Sequence, residues 1–274
     1  MSETKNPVFG NKPSNDSNCA YWEEWVSGFP ILTLSPLVEK PSQARFVILY
    51  GDSTEKNQRH RIKILGEDIV RSGHIVHCPE YRSNLDPSHI SEFGLYDRLQ
   101  DGRNAISWAL RRKQSEEALV LVGISMGGYL SVRLADEFGD RIQTLILLAP
   151  TAYPNGVCRS CVKFGAGNEF QKIIRRKIGP VWFSWILNKI NPPWASSFIF
   201  ERAKEVKADV LLISYSHDKI VPRGVIKKYL RAFSLRPTGR FKFINLPGFD
   251  HSGTVSNKTK RFYVVNQILD FINN

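Results

Sequence analysis

The stretch Leu119–Asp136, LVLVGISMGGYLSVRLAD, decides how the rest of the chain is read. Four apolar residues run into Gly123-Ile124-Ser125-Met126-Gly127, and a helix-like pattern follows at once. A short, unbroken apolar run is what a strand buried on both faces shows. GxSxG is weak by itself, since chance supplies it in roughly one chain in ten of this length at ordinary glycine and serine usage. The setting carries more. A serine between a buried strand and an amphipathic helix can sit on a strained turn that pushes Oγ out over the carboxyl edge of a sheet. The flanking glycines let neighbouring backbone crowd in, and the new helix aims its free N–H groups at the place where an oxyanion would form.

Outward from this point, apolar runs of strand length alternate with amphipathic stretches of helix length. Arg45–Tyr50, His74–Cys78, Ala118–Val122, Ile142–Leu148, Val210–Tyr215 and Phe241–Leu246 read as strands. Arg59–Arg71, Tyr96–Arg112, Gly127–Phe138, Arg223–Phe233 and Lys258–Ile272 read as helices. Such alternation predicts an α/β architecture, with a mostly parallel central sheet flanked by helices. Phe29–Leu34 is the candidate for an antiparallel edge strand. Between about 151 and 204 the rhythm breaks into helical stretches, Phe170–Ile178 and Val181–Ile190. The second concentrates Trp182, Phe183 and Trp185, so this insertion is expected to be a helical cap near the ligand. Residues 1–19 are polar and read as a loose tail, leaving 20–274 as one domain.

Composition bounds the function. At 274 residues and 42% apolar, the chain can bury a large core, which excludes global disorder. The tail lacks the apolar centre of a secretory signal, and no apolar run reaches membrane-spanning length. Cys19, Cys78, Cys158 and Cys161 are too scattered for a disulfide framework, and a reducing cytoplasm is the simplest setting. Cys158 and Cys161 have CxxC spacing but no second pair or nearby histidine to complete a zinc site. The net charge of +12 gathers in Lys172–Lys177, Arg223–Lys242 and Lys258–Arg261. No nucleic-acid motif accompanies it, so a solvated basic surface is favoured, with recognition of an anionic ligand second.

Two further strand ends carry chemistry. Val210-Leu-Leu-Ile-Ser-Tyr-Ser-His-Asp218 is a buried strand ending in a polar turn, and Phe241–Leu246 is followed by Pro247-Gly-Phe-Asp-His251. With the GxSxG junction, these residues resemble the α/β-hydrolase family from about Arg45 to the C-terminus. That family orders its site as Ser, then Asp or Glu, then His, at the ends of the fifth, next-to-last and last strands. The intervals here, about 90 and about 30 residues, suit that order with a cap inserted.

The resemblance implies Ser125 as nucleophile, His251 as its base and Asp218 as the group that orients the imidazole. It implies an oxyanion hole from the backbone N–H of Met126 and of a residue after the third strand. There the chain reads Tyr50-Gly51-Asp52, with Tyr where the family usually has His, and Asp52 N–H is the donor by position. His217 lies after the wrong strand for the base, and Asp250 reads as a turn residue. His60, His74, His77 and His89 have no motif around them and read as structural or surface residues. No metal, nucleotide or flavin site is visible.

The activity implied is hydrolysis of an ester or related acyl bond through an acyl-enzyme, on a small or medium acyl substrate. Thioester or peptide cleavage and acyl transfer use the same three residues, and a basic surface would suit an anionic or carrier-bound acyl group. A non-catalytic binding protein on this fold would require one of the three to be missing, and none is.

Overall fold

A computed structural model describes residues 19–37, 44–51, 58–82, 95–152 and 197–274, with only the backbone of 58–61 and 95–96. Asp52, residues 153–196 of the expected cap with Cys158 and Cys161, His89, and the tail before Cys19 lie outside these residues.

Eight strands form one sheet: β1 Cys19–Val26, β2 Phe29–Pro36, β3 Ala44–Leu49, β4 Ile75–Pro79, β5 Ala118–Ile124, β6 Thr144–Leu148, β7 Asp209–Tyr215 and β8 Phe241–Leu246. Their order is β1-β2-β4-β3-β5-β6-β7-β8. The first two strands run antiparallel and the other six are mutually parallel. Parallel strands covered on both faces need apolar residues at every position. β3 and β6 are accordingly buried along their whole lengths.

Phe29–Leu34, expected at an edge, lies inside β2 and is fully covered by β1 on one side and β4 on the other. β1 was hidden in the sequence because CAYWEEWV interrupts its aromatic residues with Glu23 and Glu24. One row of its side chains faces solvent, with Trp25 70% exposed. It begins at Cys19, which is buried.

Seven helices are described: α1 Gln58–Val70, α2 Leu95–Arg112, α3 Met126–Phe138, α4 Ile199–Glu205, α5 Arg223–Ser234, α6 Gly253–Ser256 and α7 Lys258–Asn273. α2, α3, α4 and α5 pack on one another in turn, while α1, α6 and α7 form a second group, so helices flank the sheet on both faces. The buried ion pair Arg261–Asp68, 2.5 Å, ties α7 to α1. Among the described residues no helix is long and apolar enough to cross a membrane.

Parallel register brings the carboxyl ends of the central strands to one edge. Leu49 is level with Gly123, Ile124 with Leu148, Leu148 with Ile213, and Tyr215 with Leu246. The strand order reverses at β3, whose neighbours β4 and β5 lie on opposite sides. In open α/β sheets that reversal opens a crevice at the carboxyl edge. Gly51 and Ser125 emerge there.

Candidate active site

Ser125 stands between the end of β5 and the start of α3, with φ 56° and ψ −119°. Such a conformation costs a non-glycine residue about 1–3 kcal/mol and persists only where the surroundings enforce it. Here the Ser125 N–H donates to Leu148 O at 3.0 Å, and its carbonyl accepts from Gly128 N–H at 2.9 Å and Thr151 N–H at 3.0 Å. The glycines are required by contact. A Cβ at Gly127 would overlap the Leu49 carbonyl, and one at Gly123 would lie 2.6 Å from Gly128 Cα. The turn therefore exists only because those two positions lack side chains.

Three loops from β5, β7 and β8 then converge. His251 Nε2 lies 3.0 Å from Ser125 Oγ, and His251 Nδ1 lies 2.8 Å from Asp218 Oδ2. A carboxylate can only accept, so Nδ1 carries the proton and Nε2 presents its lone pair to the serine hydroxyl. The other oxygen of Asp218 accepts from the N–H groups of Ile220 at 2.7 Å and Val221 at 2.9 Å, fixing the carboxylate. Asp218 is nearly buried at 6% side-chain exposure while His251 keeps 24%, so the imidazole remains reachable.

The loops bearing Asp218 and His251 are stitched together. The His217 N–H donates to Phe249 O at 2.9 Å, and the Gly248 N–H to Ser216 Oγ at 2.9 Å. Beneath them the Tyr215 hydroxyl is bonded to Thr254 Oγ1, and the Tyr215 ring stacks on Phe249 at 5.7 Å. Burial pushes the Tyr215 phenol far above its ordinary range, so it stays a neutral hydroxyl. Sequence reading missed Thr254, whose lone signal was a hydroxyl three residues after His251.

Next to the serine, Gly51 matters by close approach. A Cβ there would come within 3.2 Å of Ser125 Oγ and 3.4 Å of Met126 N, filling the space where an oxygen held by the Met126 N–H would sit. Buried Arg98 reaches the Met126 side chain, Nη1 to Sδ 3.7 Å, and lies over the Tyr81 ring; nothing local in the sequence marked it. His217 is exposed, and Asp250 accepts from Ser252 N–H and Oγ, which makes it a turn residue. His74 and His77 are buried away from the edge. Among the described residues no group of three or more His, Cys, Asp or Glu could hold a metal ion.

This sheet order, with a strained serine after β5 and an acid and a histidine after β7 and β8, defines a class: the protein has the α/β-hydrolase fold. Within that class, a family model described as serine aminopeptidase, S33, matches residues 86–198, somewhat under half of the chain. No curated protein matches the sequence. Among solved structures, an esterase of Pyrococcus furiosus superposes with TM-score 0.62 at 14% identity, covering 98% of this chain and 96% of that one. A dienelactone hydrolase of Anabaena variabilis gives TM-score 0.61 at 14% identity, covering 93% and 97%. Est1E of Butyrivibrio proteoclasticus gives 0.59 at 15%, covering 94% and 100%. As many as 1399 chains match. Likeness so broad and so low in identity speaks for the fold and does not choose a substrate.

Proposed function

We propose that the protein is a serine hydrolase that cleaves an ester or closely related acyl bond through an acyl-enzyme, with Ser125, His251 and Asp218 as its catalytic residues. The observation that carries this reading is the unbroken chain from Ser125 Oγ through His251 to Asp218, at 3.0 and 2.8 Å, on a serine held at φ 56°. Ser125 Oγ bonds to the acyl carbon while its proton passes to His251 Nε2. The carbonyl oxygen takes the charge and is held by the Met126 N–H, with Asp52 N–H as the second donor. Collapse of the tetrahedral intermediate breaks the acyl–oxygen bond, and His251 gives its proton to the leaving alcohol. Water then attacks the acyl-enzyme with His251 again as base, releasing the carboxylic acid and restoring Ser125. Asp218 holds the imidazole tautomer and stabilises the imidazolium without taking its proton.

The substrate is a small or medium acyl compound; the insertion at about 151–204, expected from sequence to be a helical cap near the ligand, lies mostly outside the described residues. The esterase and dienelactone hydrolase activities named for the similar structures support ester cleavage. The aminopeptidase description of the family model favours amide cleavage as a second reading. The described cysteines, Cys19 and Cys78, are buried, and so few, scattered cysteines suit a reducing, cytoplasmic setting. A fluorophosphonate probe should label the wild type and fail on Ser125→Ala. A folded wild type that is not labelled overturns the proposal. A panel of p-nitrophenyl esters, acyl-thioesters and amino-acid amides then ranks the bonds cleaved.

A further inference from the structure

Behind Asp218, between α5 and the edge strand β8, lies a second cleft of about 320 Å³. That is the low end of the roughly 300–1,000 Å³ typical of small-molecule sites, so any occupant is small. Its walls are amphipathic. Ile226 and Leu230 from α5 and Phe243 from β8 supply apolar surface, with Phe243 38% exposed. Ser214 and Asn245 also line the cleft, the Ser214 hydroxyl donating to Asn245 Oδ1 at 2.9 Å, so that the Asn245 amide N–H groups are not used in that bond.

Beside Asp218, whose carboxylate also lines the cleft and is engaged by His251, the charge here is positive. Arg223 and Lys227 line it, both exposed and neither with an ion-pair partner among the described residues. They stand one turn apart on α5, where like charges disfavour the helix by a few tenths of a kcal/mol. Arg223 is also the first residue of that helix, whose first turn holds no acid, so its charge sits at the wrong end of the helix dipole. The surrounding segment, 206–248, contains five lysines and four arginines against two aspartates. Both aspartates are engaged, Asp209 with Arg240 and Asp218 with His251. Two cations without an ion-pair partner among the described residues, at unfavourable helix positions over an apolar wall, are the groups that an anion with a short tail would need.

We propose that this cleft binds a small amphipathic carboxylate, its head between Arg223 and Lys227 and its tail against Ile226, Leu230 and Phe243. The chemistry is that of the acids which acyl-bond hydrolysis releases. The inference nevertheless stands apart from the hydrolase reading, because binding can be measured in Ser125→Ala protein.

Calorimetric titration of hexanoate into that protein should show binding that weakens as NaCl is raised to 0.5 M. Hexanol, with the tail and no charge, and inorganic phosphate, with charge and no tail, should each bind at least tenfold more weakly than hexanoate. Adding Arg223→Gln and Lys227→Gln should lower hexanoate affinity tenfold or more. Both residues are on the surface, so unchanged thermal unfolding checks that the variant is folded. Leu230→Trp, which fills the apolar end and keeps both cations, should also lower it. Hexanoate binding that is absent, or equal with and without Arg223 and Lys227, overturns the proposal. Equal binding of hexanol shows a neutral apolar site, and equal binding of phosphate a site that ignores the tail; either result also overturns it.

Discussion

Among the described residues two histidines lie beside a hydroxyl, and their surroundings give them opposite capacities. At the carboxyl edge, His251 lies between Asp218 and Ser125. Toward the amino end of the sheet, His77 lies between Thr33 and Arg45, with Nδ1 3.0 Å from Thr33 Oγ1 and Nε2 3.0 Å from Arg45 Nη1. Arg45 in turn donates to Glu117 at 2.9 Å, and all four residues are buried. A guanidinium can only donate, so Nε2 of His77 must accept and Nδ1–H must donate to the threonine. Its lone pair is spent. Burial first, then the charges of Arg45 and Arg112, push its pKa well below the ordinary histidine value. His251 has the reverse arrangement: a carboxylate takes its N–H, and the free lone pair faces a hydroxyl. A histidine near a hydroxyl is thus a base only when its other nitrogen meets an acceptor.

Substitution should separate the two sites by the quantity each one changes. Ser125→Ala or His251→Ala should lower kcat by roughly 10⁶, and Asp218→Asn by roughly 10⁴, with the urea midpoint little changed. His77→Gln should do the opposite. It should keep esterase activity per folded molecule and cost about 1–3 kcal/mol of stability by leaving Arg45 and Thr33 poorly paired. A loss of kcat in His77→Gln that tracked His251→Ala would break the distinction.

Space is the second difference. Thr33 is packed at 1% exposure, whereas Ser125 opens beneath Gly51. Gly51→Ala would put a methyl within 3.2 Å of Ser125 Oγ and 3.4 Å of Met126 N. A displacement of this scale at reacting atoms is expected to cut kcat by about 10–100-fold, with stability changed far less. Stopped-flow acylation with a p-nitrophenyl ester would read it. An unchanged acylation rate would show that the oxyanion lies elsewhere.

This contrast also explains what the sequence could tell. Ser125 and Asp218 could be nominated because each follows an apolar run of the kind that parallel strands buried on both faces produce, whereas His251 follows the alternating edge strand FKFINL and was found by its order after them. The ends of β3, β5, β6 and β7, at Leu49, Ile124, Leu148 and Tyr215, are readable in that way. His77 was not, because its meaning comes from Arg45 and Glu117, which are brought to it only by the pairing of β3 with β4 and β5. β1 escaped for a related reason: Glu23 and Glu24 on a half-exposed edge strand break the apolar signal. Arg98, buried on α2 beside Met126, has no local pattern at all. Residues that end buried strands are legible, and residues whose partners arrive through tertiary pairing are not.

Acid should act on the structural site through stability. The folded pKa of His77 is lowered, as is that of His74, which burial alone accounts for. Both remain neutral in the fold while the unfolded chain takes up protons below about pH 6.5. Their contribution is therefore fully present above that pH and is lost as the pH falls from it toward the folded values. Each histidine contributes a slope approaching about 1.4 kcal/mol per pH unit. Urea unfolding at pH 7.5 and 5.0 should show this loss, and His77→Gln should reduce the slope by one histidine's share. A slope unaltered by that substitution would mean that His77 is already protonated in the fold.

The smallest expected effect concerns the backbone on which each hydroxyl rides. Thr33 lies in the regular strand β2, whereas Ser125 is one of three non-glycine residues at positive φ among the described residues, with Ser27 and Ala149. Glycine meets no Cβ penalty there. Ser125→Gly should therefore unfold at higher urea than Ser125→Ala, by the equivalent of about 1 kcal/mol after the entropy glycine adds to the unfolded chain is subtracted. The alanine variant is the right reference, because both lack the hydroxyl and neither can react. A glycine variant no more stable than alanine would mean that the turn at Ser125 is relaxed and that its geometry reflects packing around Gly123 and Gly127 alone. The expected gain would instead show that the protein gives up stability to hold one hydroxyl beneath an imidazole, something it does not do for Thr33.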